Sequence, residues 1–148
     1  MRFELPILKP TGALRITARL DDQKEWIVFL EIARTLPGMV REIPKKKGGK
    51  KYDWEKKIIF RLDLEELAGL SYFLTHFASM ESPHTIYHQS PDRKSKTITI
   101  RKGEKGLPVL KADFEKQEVV LTLSRENVFL ITRGLGTLTE KILWKTPV

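Results

Sequence analysis

Two apolar spacings alternate along this chain in an order that repeats, and that order restricts its fold more than any single residue does. In "ALRITARL", Leu14, Ile16, Ala18 and Leu20 fall on one side of a two-residue period, with Arg15, Thr17 and Arg19 on the other. "EWIVFLEIAR" is apolar at both phases, as expected of a central strand or one covered on both faces. "KKIIFRLD" alternates again, and "FELPIL" can join as a strand only at an edge, because Pro6 lacks the amide hydrogen. The spacing then changes: Leu64, Leu67, Leu70, Leu74 and Phe77 step by three or four, which is helical. Asp63, with Glu66 three residues later, makes an aspartate capping box that fixes the helix start. After Ser82-Pro83 the strand signal returns in "HTIYHQ", "KTITIRK", "PVLKADFEK" and "EVVLTLS". Ser124 is then placed to cap a second helix, "RENVFLITRGLGTLTEKILW". Four strand-like segments and a helix, followed by four more and another helix, duplicate one topology without a matching sequence repeat. The expected class is α+β, dominated by sheet.

The second helix leaves a question open. Val128, Ile131, Leu135, Leu138 and Ile142 follow the spacing of a helix-packing seam. Gly134 and Gly136 weaken an isolated helix by roughly 1 kcal/mol each relative to alanine, which makes sense where another backbone comes close. The stripe fits packing on the chain's own sheet and fits a subunit contact equally well.

Length and charge narrow the function. The 148 residues fit one domain, 1–148, with a single core. The longest apolar runs are far too short to span a bilayer, and no apolar segment follows Met1-Arg2, so neither a membrane span nor a secretory signal is expected. Cysteine is absent, which excludes disulfides, thiolate metal sites and cysteine nucleophiles and fits a reducing compartment. The net charge of +8 is unevenly distributed. Residues 41–57 carry eight basic and three acidic side chains, concentrated in the loop 41–51. A second cluster holds Arg93, Lys94, Lys96, Arg101, Lys102 and Lys105 against Glu104. Clustered positive charge points to a polyanion, most often nucleic acid. No basic amphipathic helix is present to favour an acidic membrane, or to enter the major groove of a duplex.

Aromatics sit beside this charge in "KKKGGKKYDWEKKIIF". Lysines there suit phosphates, and Tyr52, Trp54 and Trp26 offer rings on which bases stack for about 1–3 kcal/mol each. Two roles stand open for Trp54, a stacking surface or a core anchor beneath the loop. The lysine run is either a phosphate grip or a solvated loop. Enzyme patterns are weaker. His84 and His88 would lie about 13 Å apart on a strand, too far to share a metal ion. Asp53-x-Glu55-x-Lys57 loosely resembles a Mg²⁺-dependent nuclease strand but lacks an earlier acidic partner in register. Ser71, Ser124 and His76 form no triad pattern, and "GGKK" lacks phosphate-loop spacing.

At "YDWEKKIIFRLDLEELAGL" the chain resembles the Whirly family of plant organellar single-stranded DNA-binding proteins. The matching positions are Tyr52, Asp53 and Trp54, the strand that follows and the helix from Glu65; the order of elements also matches from about Gly12 to Trp144. The kinetoplastid guide-RNA-binding proteins share that architecture. The resemblance implies two four-stranded antiparallel β-sheets, each followed by a helix, with four subunits packed through their helices and single strands running along the sheets. The family's lysine-glycine-lysine motif on the second strand is replaced here by "KPTGALRI".

The expected function is sequence-tolerant binding of single-stranded DNA in replication, repair or transcription, by a cytoplasmic or nucleoid-associated homotetramer without cofactor, metal or catalytic site. RNA binding and Mg²⁺-dependent nuclease activity are the alternatives. The expected binding residues are Arg15, Arg19, Trp26, Lys45, Lys46, Lys47, Lys50, Lys51, Tyr52, Trp54, Lys57, Arg61, Arg93, Lys94, Lys96 and Arg101.

Overall fold

A computed structural model of the protein describes residues 2–37 and 51–144. The first half is an antiparallel sheet of β1 (Arg2–Leu8), β2 (Gly12–Leu20), β3 (Trp26–Arg34) and β4 (Ile58–Leu62) in sequential order, followed by α1 (Leu64–Thr75). The second half repeats this with β5 (His84–Gln89), β6 (Ser95–Lys102), β7 (Pro108–Phe114), β8 (Gln117–Thr122) and α2 (Arg125–Trp144). The duplicated topology is as the spacing predicts, and Pro6 does lie on an edge strand.

Local chemistry sets the boundaries. Asp63 accepts a hydrogen bond from the Glu66 amide at 2.8 Å, and Glu66 accepts one from the Asp63 amide at 3.1 Å, which closes the expected capping box. Ser124 and Asn127 form the same reciprocal pair ahead of α2, at 3.0 and 2.9 Å. The turn between β2 and β3 is held by Asp21, whose Oδ1 accepts from the amides of Gln23 and Glu25. That turn fixes the register that sets Arg15 directly opposite Glu31.

Each sheet turns one face inward. Leu14, Ile16, Ala18, Val28, Leu30, Ile32, Ile58, Phe60 and Leu62 of the first sheet form one buried cluster with Ile86, Ile98, Ile100, Leu110, Ala112, Val119 and Leu121 of the second. Both helices add to it, with Leu67, Leu70, Phe73 and Leu74 from α1 and Val128, Ile131, Leu135 and Leu138 from α2. The apolar stripe on α2 is therefore spent on the chain's own core. Gly134 lets α2 lie close to β1: a Cβ there would come within 3.1 Å of Leu5 and 3.3 Å of Phe3. Gly136 faces open space. What α2 leaves exposed is Phe129, Leu130, Leu143 and Trp144, and α1 leaves Tyr72.

The sheets meet closely at Gly12. A Cβ at that position would lie 2.7 Å from Val119 Cγ1 and 2.9 Å from the Ala33 carbonyl oxygen. Gly12→Ala is therefore expected to destabilise the fold by about 1–3 kcal/mol, the usual cost of overpacking, read as a lower urea midpoint at unchanged slope. A pH dependence follows from His84, which stacks on Phe73 at 5.5 Å and has a buried Nε2 with no hydrogen-bond partner among the described residues. Burial pushes its pKa below the ordinary 6.5, so the folded state holds the ring neutral. The unfolded chain takes up this proton first, and the stability tied to the neutral ring is lost as pH falls below 6.5. Urea midpoints at about pH 7.5 and about pH 5.5 should differ less in His84→Gln than in the parent protein.

Candidate nucleic-acid interface

Because the inner faces are committed to the core, the outer face of the first sheet presents the alternate residues. Across it run the rows Arg2–Arg19–Ile27, Glu4–Thr17–Phe29–Arg61 and Pro6–Arg15–Glu31–Ile59. Ile27, Phe29 and Ile59 are half-buried, while Arg19 and Arg61 are exposed and have no ion-pair partner among the described residues. Arginines thus alternate with apolar surface, the mixture that suits bases and phosphates together.

Residues 52–57 fold back across this face. An isolated bridge pairs Tyr52 with Thr35, and the Asp53 amide donates to the Arg34 carbonyl at 2.9 Å. The Tyr52 hydroxyl donates to the Lys9 carbonyl at 2.7 Å, and burial raises its pKa above the ordinary tyrosine value. Tyr52 is therefore held at its polar end as an anchor, with the Lys51 ammonium 5.8 Å from its ring centre. A short 3-10 turn, Trp54–Lys56, then lays the Trp54 indole over Arg15, whose guanidinium carbon lies 4.2 Å from the ring centroid. The Trp54 ring meets Tyr52 edge-on at 6.3 Å and stays half-exposed.

Beneath Trp54 is a charge cluster that the sequence reading did not single out. Glu31 is 7% exposed, with Arg15 Nε 2.8 Å from Oε2 and Lys57 Nζ 2.8 Å from Oε1. Burial by itself would raise the Glu31 pKa, but the hydrogen bonds and charges of Arg15 and Lys57 outweigh it and hold the carboxyl below its usual range. Beside this cluster, both sheets contribute to an open groove of about 600 Å³, lined by Arg34, Lys56, Lys57, Phe114, Lys116, Gln117 and the carboxylates of Glu115 and Glu118. Arg34 Nε and Gln117 Nε2 are buried without hydrogen-bond partners among the described residues, although Arg34 also reaches Asp53 at 3.5 Å.

The remaining expected residues divide. Trp26 is in phase with Val28, Leu30 and Ile32, so it packs against the core edge beneath Lys141 of α2, on the opposite side of the sheet from Arg15 and Trp54. Lys96 is in phase with Ile98 and points inward; its ammonium donates to the Ile59 carbonyl and lies 5.4 Å from the Phe60 ring centroid. Burial lowers its pKa. It pins the second sheet to the edge of the first instead of facing solvent. Lys94 pairs with Glu115 at 2.8 Å, and that hydrogen bond raises its pKa. Arg93 occupies the β5–β6 turn with φ of 66°. Arg101 is exposed on the outer face of the second sheet and is not brought together with Trp54. Lys45, Lys46, Lys47 and Lys50 lie outside the described residues.

The enzyme patterns resolve differently. Asp53 faces Arg34 and Lys57 faces Glu31, so their charges are engaged. Among the described residues, no group of three or more acidic or histidine side chains is arranged to hold a metal ion. His88 pairs with Glu66 at 2.6 Å while His84 stacks on Phe73.

No protein-family model matches the chain, and no curated protein matches it. Solved structures do. The structure of the plant transcriptional regulator PBF-2 aligns with a TM-score of 0.71 over 99% of this chain and 85% of that one, at 16% identity. The crystal structure of WHY1 from Arabidopsis thaliana aligns with a TM-score of 0.66 over 98% of this chain and 88% of that one, also at 16% identity. The chain has the Whirly fold, in agreement with the resemblance carried by Tyr52, Asp53 and Trp54.

Proposed function

We propose that this protein binds single-stranded DNA with little sequence preference, using the outer face of the first sheet. The observation that carries the reading is the Trp54 indole supported on Arg15, beside exposed Arg19 and Arg61, which have no ion-pair partner among the described residues. Bases stack on Trp54 and on Phe29 as they are unstacked from one another. Arg19, Arg61 and the lysines of the loop 41–51 take phosphates, and counterion release makes the affinity fall with salt. The groove shared by the two sheets, with Phe114 and Lys116 in its wall, admits a base edge beside the stacked strand. The whole chain acts as one binding unit without enzymatic activity. Its fold is shared with a plant transcriptional regulator, and transcription, repair or replication of DNA in the cytoplasm or nucleoid is the setting in which such binding serves.

The exposed side chains Tyr72, Phe129, Leu130, Leu143 and Trp144 on the two helices support self-association into a homotetramer, which would remove them from water. Association there leaves the outer face of the first sheet free for the strand, because the helices occupy the opposite side.

Binding to a fluorescent oligonucleotide, single-stranded against duplex, with EDTA present, tests this reading. The expected result is a salt-sensitive preference for the single strand that persists in EDTA and does not depend strongly on sequence. Trp54→Ala should weaken that binding by more than about tenfold while circular dichroism stays unchanged. Equal affinity for duplex would reduce the face to a charge patch, and unfolding of Trp54→Ala would make the indole a core anchor. Tighter binding to RNA than to DNA of the same sequence would move the function to RNA.

A further inference from the structure

A buried carboxylate at the centre of a face that binds a polyanion is electrostatically misplaced, and it needs a reason. Glu31 is 7% exposed, and its two oxygens are taken by two cations of that same face, Arg15 and Lys57, at 2.8 Å each. Burying such a cluster gains little stability over an apolar residue of similar volume, because the desolvation of the charges offsets their attraction. What the cluster does fix is geometry. The Arg15 guanidinium is held by its Nε against Glu31, and the carbon at its centre lies 4.2 Å from the centroid of the Trp54 ring. Lys57 is drawn to the other oxygen.

We propose that Glu31 is the positioning residue that divides this face into a base-stacking part and a phosphate-binding part. The inference rests on the single-strand reading above. Where Glu31 reaches, its one negative charge offsets half the charge of Arg15 and Lys57 and holds both in place, and Arg15 becomes a flat, fixed support for Trp54, so a neutral base ring is favoured there over a phosphate. Where it does not reach, Arg19 and Arg61 keep their charge for phosphates. A long cation left to itself moves and follows the phosphates; one held against a buried carboxylate does not. Both outcomes of the pairing serve the same end: a ring platform of fixed position between arginines of undiminished charge.

Two readouts separate this role from a purely structural one. The first is the slope of log affinity against log salt, and the second is the affinity ratio between a base-bearing oligonucleotide and an abasic strand of the same length. In Glu31→Gln, two cations are released to phosphates, and the salt slope should steepen by about 0.7 to 1.4. The loosened platform should also reduce the preference for the base-bearing strand by about five- to tenfold. A folded Glu31→Gln with both readouts unchanged overturns the proposal, as does a lower affinity at constant slope and ratio. Should Glu31→Gln fail to fold, Arg15→Lys decides: it keeps the charge and the partner but removes the planar support. The expected result is then a reduced base preference with an unchanged slope, and an unchanged preference overturns the proposal. If the parent protein binds no single strand at all, the functional reading fails separately. The positioning claim is then tested without ligand, in a Trp26→Phe, Trp144→Phe background that leaves Trp54 as the reporter. Glu31→Gln, or Arg15→Lys in its place, should make Trp54 more accessible to acrylamide quenching, and unchanged quenching overturns the claim.

Discussion

The two sheets share one apolar core, and their close approach at the start of β2 is possible because position 12 has no side chain. Val119, Leu121 and the Ala33 carbonyl occupy the space that a Cβ of Gly12 would need. That contact brings β8 against the start of β2, and the inner faces of both sheets close on each other and on the helices. The consequence is a division of labour between faces. Inner residues are fixed by packing density, where a single methyl group is felt. Outer residues are released from packing and carry charge, ring surface and hydrogen-bond donors.

The two sheets illustrate how many of the basic side chains of the sequence are already engaged within the fold. Arg15 and Lys57 share the one negative charge of Glu31, Arg34 is drawn to Asp53, Lys94 to Glu115, and the half-buried Lys96 is tied to the Ile59 carbonyl. Of the described arginines and lysines in the expected set, Arg19, Arg61, Arg93 and Arg101 are exposed without an ion-pair partner among the described residues. Net charge supplies long-range attraction, but the pairing pattern decides where a phosphate can dock. Under the proposed function, this pattern favours a strand held by rings and a few arginines over a uniform electrostatic coat.

Much of this was legible in the sequence. The change from a two-residue to a 3.6-residue period located both sheets and both helices, Asp63 with Glu66 set the start of α1, and Pro6 marked an edge strand. Parity also held information that the clusters of charge obscured. Trp26 shares its phase with Val28 and Leu30, and Lys96 with Ile98 and Ile100, which puts both on inner faces. The role of Glu31 was not legible. It depends on the register set by the Asp21 turn and on the return of residues 52–57 across the sheet, and neither leaves a periodic trace. The glycines of α2 show the same limit: Gly134 answers to β1 and Gly136 to open space, although the two are identical in sequence.

Three tryptophans mark three places in this fold: Trp26 beneath α2, Trp54 on the outer face and Trp144 at the exposed end of α2. Their indole N–H resonances, followed by NMR as a short single-stranded oligonucleotide is added, locate the bound strand directly. The account predicts that the Trp54 signal moves with saturation while those of Trp26 and Trp144 stay in place. A shift confined to Trp26 or Trp144, with Trp54 unmoved, would contradict it.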